Sequence, residues 1–187
     1  MPVAPPSPPL TDGTVTLRPW LERDVPAIVT ACRDDEIAWW LDQVPQPYGE
    51  ADAQTYVAMT RRGWKDGTHG AFAVTNAETG QVVGSVGVHF IDADQGVAEV
   101  GYWVAREARG RGVATRATRL AAGWTLGPCG IKRLQLRADS RNVASQHVAE
   151  SAGFRREGVL RSVRFNVRQA RRVDFVMYSL LADEYAG

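Results

Sequence analysis

The sequence predicts a mixed α/β fold: a mostly antiparallel, twisted sheet of six to seven strands flanked by about four helices. Three observations lead to this prediction. Valine-rich or alternating apolar segments, typical of strands, are separated by short turns in the middle of the chain. Amphipathic segments of helical period stand before and after those strands. One of them directly joins two strands, which predicts a parallel crossover.

Length and composition fit one domain. The 187 residues are 44% hydrophobic and 23% charged, which suits a globular protein with a substantial core. Five of the ten prolines lie in residues 1–9, so residues 1–13 are expected to be disordered and residues 14–187 to form the domain. The sequence has neither a signal peptide pattern nor an apolar run of about 20 residues, and we expect a cytoplasmic protein with reduced, buried cysteines.

The first part of the domain is predicted to be a strand followed by helices. Residues 15–20 alternate as a short strand does. Asp24 is a suitable N-cap for a helix over 24–34, with a proline tolerated in its first turn. Residues 36–49 are rich in aromatic residues and proline and predict a loop or broken helix, and residues 51–63 predict a second helix.

Three strands joined by short turns are predicted next. They cover residues 71–75, 81–91 and 97–105, and the turns at 76–80 and 92–96 contain the expected asparagine, aspartate and glycine residues. The order predicts an antiparallel meander.

The pattern then returns to helices. Residues 112–126 place their apolar side chains on one helical face, and residues 131–138 predict the strand that follows. Asn142 is a suitable N-cap for a further helix. Two closing strands are predicted, one from residue 154 onward and one over 173–181.

Residues 104–115, with the sequence VAREARGRGVAT, predict a phosphate-binding turn between a strand and a helix. Gly110 and Gly112 let the backbone approach a ligand, and the N–H groups at the helix start have no partners within the helix. The helix dipole and the charges of Arg109 and Arg111 add to this anion site. The alternative is a tight turn with two solvated arginines.

Two other phosphate-binding motifs fit poorly. The chain contains no Gly-Lys-Ser/Thr triplet, which a nucleoside triphosphate loop requires. Thr115 stands where a dinucleotide-binding turn has its third glycine, and the residues around Lys132 are not acidic.

The turn and its surroundings resemble the GNAT N-acetyltransferases. The matching residues are Arg109-x-x-Gly112-x-Ala114, for the family's Arg/Gln-x-x-Gly-x-Gly/Ala, with Gly101-Tyr102-Trp103-Val104 before it and Asn142-x-x-Ser145 and Gly153-Phe154 after it. The resemblance is to the RimJ/RimL-like branch, covers residues 15–181, and implies a GNAT-like fold.

The resemblance implies acetyl-CoA as cosubstrate, with no metal. The residues implied to bind it are Trp103, Val104, Ala105, Arg109, Gly110, Arg111, Gly112, Val113, Ala114, Thr115, Asn142 and Ser145. The strand over 100–105 is implied to part from its neighbour, so that backbone groups of residues 103–105 pair with the pantetheine arm. The Val104 N–H is implied to polarise the acetyl carbonyl. A plain core strand is the alternative.

One catalytic residue of the family is missing from this chain. Many members carry a leaving-group tyrosine seven residues after the asparagine, where this chain has Ala149. The role passes to Ser145, which we expect to donate a hydrogen bond to the thiolate. Glu99 is the best general-base candidate, acting through water, and a structural ion pair with an arginine is the alternative. His89 and Asp92 are weaker candidates.

The acceptor pocket is expected in the N-terminal half, because an acidic, aromatic rim suits an amine. Its predicted residues are Trp39, Trp40, Tyr48, Asp35, Asp42 and His89. Residues 1–100 hold 14 acidic and 6 basic side chains, whereas residues 101–187 hold 7 and 16. This split suggests phosphates on one half and an amine on the other, although the halves could simply attract each other. The tryptophans could also belong to the core, and the acids to a solvated face.

We therefore expect an acetyl-CoA-dependent N-acetyltransferase that acts by direct attack in a ternary complex. The acceptor could be a protein N-terminus, a small amine or an aminoglycoside, and the donor could be succinyl-CoA. A non-catalytic acyl-CoA-binding module is the rival of a different class. A net charge of +1 argues against nucleic acid as a partner, no membrane partner is expected, and a homodimer stays open.

Overall fold

A computed structural model describes residues 4–92 and 94–185 of the chain. The strands are β1 (Leu10–Thr11), β2 (Val15–Pro19), β3 (His69–Asn76), β4 (Val82–Asp92), β5 (Val97–Val104), β6 (Arg133–Asp139), β7 (Arg155–Asn166) and β8 (Arg171–Leu181). The helices are α1 (Val25–Cys32), α2 (Asp35–Trp40), α3 (Glu50–Asp66), α4 (Val113–Leu126) and α5 (Val143–Ser151).

The eight strands form one sheet in the order β1-β2-β3-β4-β5-β6-β8-β7. Adjacent strands of the sheet pair antiparallel, except β5 and β6, which are parallel and are joined by α4 as a crossover. The predicted mixed α/β class and the crossover are confirmed. The described chain has one strand more than the upper end of the predicted range, and α2 is an additional helix within the predicted irregular segment.

The sheet begins earlier than the sequence predicts. Leu10 and Thr11 pair with β2, so the expected disordered segment is ordered at these residues. Leu10 packs against the hydrophobic core, and the Thr11 hydroxyl donates to the Val15 carbonyl at 2.9 Å. These two contacts explain why a proline-rich start still ends in a strand. Residues 1–3 of the predicted segment, and residue 93 of the predicted turn, lie outside the described residues.

Asp24 does precede α1, but its side chain has another role than the predicted cap. Its carboxylate accepts hydrogen bonds from the Arg18 guanidinium at 2.7 and 2.9 Å and from the Leu21 N–H at 2.9 Å. The charged donor binds more strongly than a helix N–H would. Asp24 therefore ties the end of β2 to the turn before α1.

Both faces of the sheet are covered by helices. On one side, α4 buries Ala117, Ala121 and Trp124 against the strands, as its periodicity predicts. Trp124 meets Trp64 of α3 and Phe72 of β3 edge to face, with ring centroids 5.5 and 5.3 Å apart. Such pairs contribute about 0.5–1.5 kcal/mol each beyond the area they bury. This cluster fixes α3 and α4 at the same end of the sheet.

Two further expectations concern the cysteines and membranes. Cys32 and Cys129 are both free thiols, Cys32 buried and Cys129 half-buried. None of the helices in the described part of the chain is long and apolar enough to span a bilayer.

The centre of the sheet opens where β5 and β6 separate. Their parallel pairing covers three residue pairs and ends with Glu99 opposite Gln135. Beyond this point β5 continues to residue 104 and leads into the glycine turn, while β6 leads into α5. The gap between the two strands therefore faces the starts of α4 and α5.

Candidate functional site

A cavity of about 700 Å³ lies in this gap. The end of β5, the glycine turn, the start of α4, the end of β6 and the start of α5 line it, and residues of α2, β7 and β8 close its far side. Its volume lies within the range of small-molecule sites. Ten of the twelve predicted cofactor residues, all but Ala105 and Arg111, line this one cavity: Trp103, Val104, Arg109, Gly110, Gly112, Val113, Ala114, Thr115, Asn142 and Ser145.

The glycine turn presents a row of free backbone donors. Gly110 and Gly112 have φ values of +72° and +73°, a left-handed conformation that favours glycine. Gly112 is the N-cap of α4, whose first helical bond runs from the Arg116 N–H to the Gly112 carbonyl at 3.0 Å. Within the described chain, the N–H groups of residues 110–115 have no hydrogen-bond partner. This arrangement fits an anionic ligand at the start of the helix.

The two arginines of the turn differ in their surroundings. The Arg109 guanidinium binds Asp34 at 2.9 Å and Glu36 at 2.6 Å, and its Nε donates to the Val104 carbonyl at 3.2 Å. Its charge is therefore already compensated by the start of α2, and it holds the turn in place. The Arg111 side chain is exposed, as the solvated alternative suggests.

The end of β5 directs its backbone groups alternately to two sides. The Ala105 N–H donates to the Val83 carbonyl at 2.9 Å. The direction of the backbone N–H and C=O groups alternates along an antiparallel strand. The backbone groups of Trp103 therefore also point toward β4, whereas those of Val104 point into the gap toward β6. The expectation that residues 103–105 all pair with a pantetheine arm is therefore corrected. The register of the β4–β5 pair leaves the Val104 N–H for a ligand, since the Val104 carbonyl accepts from Arg109, and it places the backbone groups of Trp103 and Ala105 toward β4.

The start of α5 brings a pair of hydroxyl groups into the cavity. Asn142 caps the helix, as predicted, by accepting the Ser145 N–H at 3.0 Å. The Tyr102 hydroxyl of β5 donates to Ser145 Oγ at 3.0 Å. Burial raises the pKa of Tyr102 to about 12, so this phenol stays protonated at neutral pH. Ala149, one turn further along α5, is fully buried.

Glu99 lines the cavity but is also an ion-pair partner. Its carboxylate contacts Arg137 of β6 at 2.6 Å and accepts from Gln135 at 3.3 Å. His89 of β4 stands directly opposite Glu99 in the sheet and also lines the cavity. The arginine pairing that the sequence left as an alternative is present, in a position that still reaches the cavity. Asp92, the other weak candidate, is the last residue of β4.

The expected acceptor residues are only partly brought together. Trp40 and His89 line the cavity. Tyr48 is 5% exposed and packs in a second hydrophobic core with Trp20, so it serves the fold. Trp39 is 47% exposed and is not among the residues that line the cavity, because neighbouring residues of a helix such as α2 point about 100° apart.

The acidic residues of this region bind arginines of the other half of the chain. Asp42 pairs with Arg164, and Asp35 is exposed at the start of α2. Glu36, which lines the cavity, is held by Arg109. Neither Asp35 nor Asp42 is among the residues that line the cavity, so their predicted roles in the acceptor pocket are corrected. The attraction between the two oppositely charged halves is realised in specific ion pairs.

Several residues of the cavity have no local signal in the sequence. Arg137 and Arg164 each place their guanidinium 5.7 Å from the ring centre of Phe175, which lies between them. These side chains come from β6, β7 and β8 and meet only in the folded sheet. Tyr102 belongs to a segment that the sequence marks as important, but its hydroxyl partner lies 43 residues away.

The described residues contain no group of three or more His, Cys, Asp or Glu side chains placed to hold a metal ion.

Comparison with known proteins agrees with the geometry. The profile of the acetyltransferase (GNAT) domain family matches residues 14–155. The chain is 27% identical over 173 residues to an uncharacterized N-acetyltransferase, p20, of Bacillus licheniformis, covering 92% of this chain and 96% of the relative. It is 32% identical over 108 residues to the putative ribosomal N-acetyltransferase YdaF of Bacillus subtilis, covering 58% of each chain.

Two solved structures share the fold over nearly the whole chain. Mycobacterium smegmatis RimJ, in complex with a CoA disulfide, superimposes with a TM-score of 0.84 at 21% identity, covering 99% of this chain and 93% of RimJ. RimL, a ribosomal L7/L12 alpha-N-protein acetyltransferase in complex with coenzyme A, has a TM-score of 0.84 at 19% identity. The superposition covers 94% of this chain and 98% of RimL.

Proposed function

The chain belongs to the GNAT family of acetyltransferases, and we propose that it transfers the acetyl group of acetyl-CoA to a protein N-terminal amine by direct attack in a ternary complex. The row of free N–H groups at residues 110–115, at one end of a 700 Å³ cavity, is the observation that carries this proposal. Such donors at a helix start suit the pyrophosphate of acetyl-CoA.

The pantetheine arm would extend from the turn into the gap between β5 and β6. Val104 directs its N–H into this gap, where it can donate to the acetyl carbonyl as negative charge develops. Ser145, on the opposite wall, would donate to the departing thiolate. The free edge of β5 thus holds the thioester, and α5 meets its sulfur.

Direct attack is favoured over a covalent intermediate by the state of the cysteines. Burial raises the pKa of Cys32 to about 11 and that of Cys129 to about 12, so both are thiols at neutral pH. A thiol is a weak nucleophile compared with its thiolate. The acceptor amine itself would attack, after losing a proton through water to Glu99, which lines the same cavity.

The proposal of a protein N-terminus as acceptor rests on the relatives and on the cavity wall. RimL is named as an alpha-N-protein acetyltransferase of ribosomal L7/L12, and YdaF as a putative ribosomal N-acetyltransferase. Glu36 and Trp40 of α2 line the cavity. Arg109 binds one oxygen of the Glu36 carboxylate, and the other oxygen and the Trp40 ring would be available to an amine. Glu36 is also exposed, so a polypeptide could approach it from solvent.

The test is an acceptor panel with mass detection of the product and a thiol assay for released CoA. The panel holds peptides with free N-termini, the same peptides with blocked N-termini as matched controls, polyamines and aminoglycosides. We expect acetylation of free N-termini alone, and faster turnover with acetyl-CoA than with succinyl-CoA. Turnover restricted to polyamines or aminoglycosides would refute the acceptor, and CoA binding without turnover would show a binding module.

A further inference from the structure

The Tyr102 hydroxyl reaches across the cavity from the sheet to a helix. Tyr102 lies near the end of β5, and Ser145 lies in the first turn of α5. Their oxygens are 3.0 Å apart, and both residues line the cavity. The contact therefore bridges the two elements between which a CoA thioester would sit.

The directions of the hydrogen bonds leave one donor free. Tyr102 donates to Ser145 Oγ, and the Ser145 N–H is bound to Asn142 at 3.0 Å. A serine hydroxyl has one proton of its own to donate. With an acceptor site of Oγ filled by Tyr102 and the helix start fixed by Asn142, the Ser145 proton is directed to the remaining space, which is the cavity.

We propose that Tyr102 is a positioning residue that orients Ser145 as the hydrogen-bond donor to the sulfur of CoA. This inference rests on the acetyl transfer proposed above. In that reaction the C–N bond forms and the C–S bond breaks, and sulfur leaves with the electron pair. Ser145 donates to this thiolate, and the bond from Tyr102 strengthens the donor because linked hydrogen bonds polarise one another.

Both hydroxyl groups keep their protons throughout. The acceptor ammonium loses one proton through water to Glu99 before attack, and its nitrogen gives a second proton to solvent once the C–N bond has formed. The thiolate takes its proton from solvent when CoA leaves. The pKa of Tyr102, raised to about 12 by burial, agrees with this role because a phenol of such weak acidity does not protonate a thiolate.

The experiment uses binding of the product CoA and requires no acceptor. Dissociation constants of CoA and of desulfo-CoA are measured by calorimetry from about pH 7 to about pH 10, a range that spans the pKa of an ordinary thiol near 8.5. The protein's own ionisable groups in the cavity, among them His89 and His147, face both ligands alike. The ratio of the two constants therefore reports the preference for thiolate.

In the unmodified protein, we expect this ratio to favour CoA increasingly as pH rises. Tyr102→Phe keeps the ring and removes only the hydroxyl, and should reduce the preference about fivefold. Ser145→Ala should reduce it at least as much, and the double variant should match Ser145→Ala. Tyr56→Phe is the matched control, because Tyr56, like Tyr102, is a half-buried tyrosine, and its hydroxyl contacts Ser85 at 3.2 Å outside the cavity lining.

Two results would overturn the inference while CoA binding stays intact. The thiolate preference could be the same in Tyr102→Phe as in Tyr56→Phe, or Tyr102→Phe could lower it further in the Ser145→Ala background. Failure of the unmodified protein to bind either ligand would instead refute the proposed function. Thermal unfolding of each variant is measured to verify that the variants are folded under the conditions of the binding experiments.

Discussion

Replacing Gly112 by valine tests whether the glycine turn binds CoA. Gly112 has a φ of +73°, and an added Cβ would have only Arg116 Nε near it, at 4.0 Å. The free protein therefore has room for the side chain, but a non-glycine residue in this conformation costs about 1–3 kcal/mol. We expect the turn to relieve that strain by moving, and the new side chain to fill the space through which a phosphate would approach.

The expected loss of affinity follows from the donors at residues 110–115. A hydrogen bond to a charged group contributes about 1.5–3 kcal/mol, and about 1.4 kcal/mol changes a dissociation constant tenfold. Misplacing two N–H groups, at the lower value for each, weakens CoA binding about 100-fold. Titration calorimetry with CoA measures this change, and urea unfolding measures the accompanying loss of stability.

Gly80→Val is the matched control. Gly80 has a φ of +72°, open space around its Cβ position, and a place in the turn between β3 and β4. Its replacement should cost the same free energy of unfolding and leave CoA binding unchanged. Equal CoA affinities for Gly112→Val and Gly80→Val would refute the phosphate site.

Four further predictions concern catalysis and stability. Ser145→Ala should lower kcat about tenfold and leave the KM for acetyl-CoA within about twofold, and an unchanged kcat would remove Ser145 from the mechanism. Glu99→Gln should lower kcat about 100-fold and leave the KM for acetyl-CoA within about twofold, whereas an unchanged kcat would leave Glu99 as an ion-pair partner only. Arg109→Ala should lower the free energy of unfolding in urea by about 1–2 kcal/mol through loss of its contacts with α2, and a change below about 0.5 kcal/mol would contradict that anchoring role. Hydrogen bonds from Arg133 are the chief reason why the pKa of Glu157 falls from an ordinary 4.5 to about 2. The ionised carboxylate therefore stabilises the fold fully at pH values above 4.5, and this stabilisation is lost as the pH falls toward 2. Between about pH 5 and about pH 2, the free energy of unfolding in urea should accordingly fall less for Glu157→Gln than for the unmodified protein. An equal fall in both proteins would contradict this role of Glu157.

Features that depend on neighbouring residues were predictable from the sequence. The turn with Gly110 and Gly112 and the cap by Asn142 are each decided within a few residues, because backbone conformation and capping are local. The strand order through the middle of the chain follows from short turns for the same reason. The crossover helix could be predicted because α4 directly follows one strand and precedes another.

The chemical state of the site residues depended on contacts between distant segments. Arg109 has the same charge in any conformation, but its partners Asp34 and Glu36 lie 75 and 73 residues away. The sequence shows acids and arginines in opposite halves without showing which pairs form. Ion pairs compensate charges that composition alone makes available to a ligand, as Arg164 does for Asp42, which does not line the cavity.

By itself, the sequence determined where the glycine turn lies and which fold class surrounds it, because glycine conformations, caps and apolar periodicity act over short distances. Only the tertiary structure decided which backbone groups remain free and which hydroxyl groups meet. The register of β4 against β5 selects Val104 over its neighbours, and the separation of β5 from β6 brings Tyr102 to Ser145. Both depend on pairing between strands, a long-range property that no short segment of the chain specifies.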